Sequence, residues 1–144
     1  MLFAQAVAAC EAALTVYTEA DHPLNWAMTQ NNLGIALQEQ GKRTQGEAGA
    51  ALFAQAVAVY EAALTVRTRK DHPMQWAMTQ DNIGLAYVEM AEREKSDART
   101  HLDRALMAFD NALTIYYPEH TSYYFEECAT ARKDAAAKRA ALGD

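Results

Sequence analysis

The segment from Asp21 to Gly41, DHPLNWAMTQNNLGIALQEQG, returns fifty residues later, from Asp71 to Ala91, as DHPMQWAMTQDNIGLAYVEMA. Between residues 2–40 and 52–90, 26 of 39 residue pairs are identical. Self-similarity at a fixed spacing is the signature of a repeat architecture. One helical pair leaves an apolar face open, and stacking on a copy of itself buries that face. The chain is therefore expected to be built by addition of like units.

The units read as helices. Hydrophobic residues make up 51% of the chain, with only six Gly and three Pro. Ala, which is abundant, gives up no side-chain entropy in a helix. Residues 2–19 form a first predicted helix, with Phe3, Val7, Cys10 or Ala13, and Leu14 on one stripe. Asp21-His22-Pro23 then starts a second: Asp can cap free N–H groups, and Pro suits a first turn. This helix runs from about Pro23 to Gln40, turns Trp26, Leu33 and Leu37 inward, and stops at Gly41. GKRTQGEAG, residues 41–49, reads as a loop grading into a third helix over about 47–69. That helix has Leu52, Phe53, Ala56, Val57, Tyr60 and Leu64 inward. Asp71-His72-Pro73 opens a fourth over 73–93, where Trp76, Ile83 and Tyr87 repeat the earlier stripe. A fifth covers about 96–116, its core DRALMAFDNALTI following AQAVAVYEAALTV at an offset of 49. The last segment, 121–142, departs from the pattern and suits a capping helix with a more polar outer face.

Net charge is −6, with 19 acidic residues against 13 Lys plus Arg and no long basic run, which argues against nucleic acid as a partner. No apolar run reaches the ~18 residues that span a bilayer, so no membrane partner is expected. Cys10 and Cys128 do not make a disulfide framework and suit a reducing, cytoplasmic setting. The N-terminal LFAQAVA could pass for part of a signal peptide. It lacks a basic lead-in and recurs at 52–58, which makes it structural.

Asn32-Leu33-Gly34, Leu37 and Gly41, followed by Ala56, Tyr60 and Ala63, resemble the tetratricopeptide repeat (TPR). So do Asn82-Ile83-Gly84 and Tyr87, followed by Ala105, Phe109 and Ala112. The Asp-His-Pro lead-in and the Leu-Thr-Val/Ile helix end are similar to the kinesin-light-chain-like subclass. The period of about 50 exceeds the usual ~34, with the excess between Gly41 and Ala56 and again between Ala91 and Ala105. The resemblance implies an all-α, right-handed α-solenoid of about six antiparallel helices. Its parts would be a half repeat 2–19, repeats 21–69 and 71–117, and a capping helix 120–142. The start on a second-type helix suggests a fragment of a longer array or an atypical end. In the family, the glycine of the first helix and the first alanine of the second let two helices pack closely.

No assembled catalytic site is legible, and the chain is expected to be non-catalytic and without cofactors. His22 and His72 sit beside Asp21 and Asp71, but no ligand pair at i, i+4 accompanies them. They read as helix caps, and no metal site is expected. Cys10 stands where Tyr60 and Phe109 stand in the other repeats and reads as core. Cys128 has no evident base. Trp26 and Trp76 read as core, and Tyr116, Tyr117, Tyr123, Tyr124 and Phe125 as the last packing joint. Turned away from the inward stripe are Met28, Asn31, Asn32, Ile35, Gln38 and Glu39, then Met78, Asp81, Asn82, Leu85, Val88 and Glu89. In the resembled family this face lines the concave groove that holds peptides, and Asn32 and Asn82 match its groove asparagine. A carboxylate-clamp role is disfavoured by Asp81, Glu39 and Glu89. An apolar or Lys/Arg-bearing extended segment is the more compatible partner. The expected function is a protein- or peptide-binding scaffold, with self-association through the repeat ends as the alternative.

Overall fold

A computed structural model describes residues 2–143. It is all-α, with α1 Leu2–Leu14, α2 Pro23–Lys42, α3 Gly46–Leu64, α4 Pro73–Arg93, α5 Ala98–Leu113 and α6 Ser122–Ala141. A single 3-10 turn, Lys95–Asp97, joins α4 to α5. Each helix packs chiefly on those before and after it, and lighter contacts join α2 to α4 and α4 to α6. The core lies in these seams, with Phe53, Tyr60, Phe109 and Tyr116 fully enclosed.

The corners are one device used three times. After Leu14, Leu64 and Leu113, a threonine hydroxyl turns back on the helix. Thr15 Oγ1 donates to Ala12 O (2.6 Å), Thr65 Oγ1 to Ala62 O (2.7 Å) and Thr114 Oγ1 to Asn111 O (2.6 Å). Such back-bonding competes with the backbone ladder. It explains why α1, α3 and α5 end at Leu14, Leu64 and Leu113, before the expected 19, 69 and 116. The chain re-enters a helix through His22, His72 and Thr121. Their carbonyls accept from Trp26 N (2.8 Å), Trp76 N (2.9 Å) and Phe125 N (2.8 Å).

Two expectations about helix ends are corrected. His22 and His72, not Asp21 and Asp71, occupy the N-cap places, and neither caps with its side chain. Pro23 and Pro73 make the start, since they have no N–H to satisfy. The Asp21 and Asp71 backbone N–H groups instead donate to Thr18 and Thr68 Oγ1, each at 3.2 Å. Gly41 is not a stop. It is buried inside α2 with the Phe53 ring 3.1 Å from where a Cβ would be, and the helix continues to Lys42. The expected loop 41–49 shrinks to three residues, because Gly46 at φ 66° turns the chain directly into α3. The residues in excess of a short repeat lengthen α3 ahead of Ala56.

Phe3 and Phe53 are each covered by a guanidinium fifty residues apart, Arg43 at 4.4 Å and Arg93 at 4.9 Å from the ring centroids. α1 contains no fully buried residue, and Cys10 is only half-buried. Tyr60, at the matching place in α3, owes its burial to α2, which precedes it. Cys10 packs only partly buried against the core, so its expected core role is only partly met. Trp26 and Trp76 are half-buried, and the enclosed positions are their neighbours Ala27 and Ala77.

Candidate functional site

The residues proposed for the binding face divide into three groups. Met28, Asn32 and Ile35 on α2 point to solvent, Met28 and Ile35 each with 43% of their surface open. Met78 and Leu85 on α4 repeat this at 41% and 40%, with Asn82 half-exposed between them. Positions 28, 32 and 35 share one side of a helix, since residues four and seven apart lie one and two turns along. Their immediate neighbours Leu33, Gly34, Ala36 and Leu37 are buried. Each helix thus carries one amide between two open apolar side chains, on the side away from its core.

The second group holds helices together. Gln38 is buried: Tyr60 O–H donates to its Oε1 at 2.8 Å. It is not part of an open face, and its counterpart Val88 is only half-exposed. Asn31 Oδ1 accepts from Thr79 Oγ1 at 3.1 Å, joining α2 to α4. One repeat on, the Asp81 carboxyl lies beside the Cys128 thiol of α6, whose S–H donates to Phe109 O at 3.8 Å. Thr79 and Cys128 each stand seven residues after their N-cap residues His72 and Thr121. The two pairs occupy matching places in successive repeats, though their bonds differ: Thr79 Oγ1 also donates to Gln75 O at 2.9 Å. Burial raises the Asp81 carboxyl to about 6 and the Cys128 thiol to about 12, each reinforced by a neighbouring negative charge. Cys128 is consequently a poor nucleophile.

The third group, Glu39 and Glu89, is internally neutralised. Lys42 Nζ lies 2.8 Å from Glu39 Oε1, and Arg43 adds a second pair at 3.3 Å. Arg93 pairs with Glu89 at 2.5 Å. The Lys42 hydrogen bond above all holds Glu39 below its ordinary value. The acidic character expected of the face is therefore spent within α2 and α4. What faces outward is apolar and amide surface.

The aromatic group near the last corner splits. Tyr116 is enclosed and stacks on Tyr124 (5.6 Å between centroids), while Tyr117 and Tyr123 are exposed. No helix among the described residues is long and apolar enough to cross a membrane. In comparisons with protein-family models, curated proteins and solved structures, nothing matched the chain.

The sequence pattern located the open apolar stripe but missed the partners of Gln38 and Asn31 and the setting of Asp81 beside Cys128. The signal was available in part. Gln38 changes to Val88 where Tyr60 changes to Phe109, a joint loss of a polar pair between the repeats.

Proposed function

We propose that the chain is a TPR-like, right-handed solenoid of the kinesin-light-chain-like kind, acting as a non-catalytic scaffold for an extended peptide segment. The observation that carries this reading is the duplicated open face: Met28, Asn32 and Ile35 on α2, and Met78, Asn82 and Leu85 on α4. Two helices expose the same apolar–amide–apolar stripe, although their neighbouring positions are tightly packed. The solenoid arrangement draws support from the pairings that recur at the repeat spacing: Gly34 with Tyr60 and Gly84 with Phe109, then Arg43 with Phe3 and Arg93 with Phe53. An asparagine amide can donate to and accept from a peptide backbone at once. Met adapts to varied apolar side chains. Because Glu39 and Glu89 are already paired, the favoured ligand is an apolar extended segment rather than a basic one.

Selection from a displayed library of random peptides tests this. Enriched sequences should be apolar and lack a requirement for a C-terminal carboxylate. Asn32→Ala and Asn82→Ala should each weaken the selected peptide about tenfold, the loss of one or two hydrogen bonds, with unchanged thermal melting. Failure to enrich any peptide, or affinity indifferent to both substitutions, rejects the groove.

A second reading, self-association, is favoured by the apolar surface around α1. Leu2, Val16 and Leu24 are all more than half exposed, and α1 encloses none of its side chains. Light scattering over a wide concentration range decides it; a strict monomer at high concentration rejects it.

A further inference from the structure

We propose that Glu94, Asp97 and His101 form a binding site for one divalent transition-metal cation of the Zn2+ class, at the corner between α4 and α5. The site is independent of the peptide face. One donor atom from each of the three residues falls within 4.8 Å of the other two. Glu94 stands between the end of α4 and the 3-10 turn, Asp97 closes that turn, and His101 lies one helical turn further along α5.

His101 is what separates this group from an ordinary acidic corner. It is 92% enclosed (8% exposed), and neither ring nitrogen has a hydrogen-bond partner. Nε2 lies 3.3 Å from Glu94 Oε1 but out of line for a hydrogen bond. A buried polar group without a partner is destabilising, so the fold by itself gives no reason to keep it. The preceding repeat supports this point. α3 and α5 align at an offset of 49, and the residue matching His101 is Leu52. The architecture accepts a half-buried leucine there, where this repeat buries a histidine. The Tyr87 ring stacks on the imidazole, at 24° and 6.0 Å between centroids.

The acids are available as well. Asp97 is the N-cap residue of α5, yet its carboxylate makes no capping bond. Among the described residues, the only ion pair made by Glu94 is with His101. Imidazole nitrogen with carboxylate oxygen is a donor set for Zn2+, Co2+ or Ni2+ more than for Ca2+. Three protein donors leave a fourth position for water. Metal bonds of ~2.1 Å in tetrahedral geometry set donors about 3.4 Å apart. The His101–Glu94 spacing already meets this, and rotation of the half-exposed Glu94 and exposed Asp97 side chains can complete it.

Co2+ and Zn2+ titrated into the full chain test the proposal. One equivalent of Co2+ should give visible absorption bands of a low-coordinate site, Zn2+ should displace it, and either should raise Tm. His101→Leu, which copies Leu52, should remain folded and lose at least tenfold in affinity. Glu94→Gln with Asp97→Asn leaves the core untouched and should lose as much. His22→Asn with His72→Asn should bind as the parent does. Absence of one-to-one binding up to millimolar metal would falsify the site. So would affinity unchanged in His101→Leu or in Glu94→Gln/Asp97→Asn, and His101 and Glu94 would then be a plain ion pair.

Discussion

Gly84 lies against the flat of the Phe109 ring, and a Cβ built on it would stand 2.5 Å from Cε1. Gly34 meets Tyr60 in the same way, still closer. Neither glycine is required for backbone freedom, since both are in mid-helix with ordinary helical angles. They are required for space. The aromatic ring of one helix fills the place where its predecessor has no side chain, and the helix axes approach accordingly.

Gly84→Ala should therefore destabilise the protein. Helix propensity favours Ala by about 1 kcal/mol, but driving a methyl into a packed ring costs about 1–3 kcal/mol. A net loss of on the order of 1–2 kcal/mol is expected from urea unfolding. The double variant with Phe109→Leu should lose less than the two single changes added together, because the smaller side chain yields the space. Additive losses would mean that the glycine and the ring do not compete.

Tyr60→Phe should cost about 1–2 kcal/mol by leaving the buried Gln38 oxygen without its donor. Adding Gln38→Val should restore most of that loss, because Phe109 and Val88 already occupy the matching places in the second repeat. A double variant no more stable than Tyr60→Phe would separate the two residues energetically.

Asp81 makes stability depend on pH in an unusual direction. Its folded value of about 6 lies above the ordinary 3.8, so the folded state holds this proton more tightly than the unfolded chain. Its contribution is whole below about pH 4 and is lost as pH rises through about 6. A shift of this size corresponds to roughly 2–3 kcal/mol at pH 8. Asp81→Asn should be the more stable protein at pH 8 and lose that advantage by pH 4. Asn31 shows that an amide is accepted at this place, bonded there to Thr79. Equal stability of the two proteins at pH 8 would refute the assignment.

Ile35→Gln and Leu85→Gln should change unfolding free energy by no more than about 0.5 kcal/mol, as surface changes do. Leu33→Ala and Ile83→Ala, two residues away and buried, should lose about 2–4 kcal/mol. Circular dichroism melts of the four variants give the comparison. Comparable losses in both pairs would place the open stripe inside the packing.

Much of the helical order was legible because its causes are local. Pro23 and Pro73 mark starts through the missing N–H, and the apolar period of 3.6 separates Leu33 and Leu37 from Met28 and Ile35. The ends of α1, α3 and α5 are not legible in the same way, because the threonine back-bond that closes them looks like continued apolar helix. Gly41 looks like a terminator in the sequence, since its other use, admitting the Phe53 ring, depends on a residue in another helix.

By itself the sequence determined the all-helical class, the repeat spacing, the places where helices begin and the outward stripe, all of which follow from neighbours a few residues apart. Tertiary structure alone decided that Gln38 is consumed by Tyr60, that Asp81 sits beside Cys128, that Glu39 and Glu89 carry their own counter-charges, and that Glu94, Asp97 and His101 converge. The physical reason is one of reach. A helical period reports which side of a helix turns inward, but the partner met there is set by how helices stack.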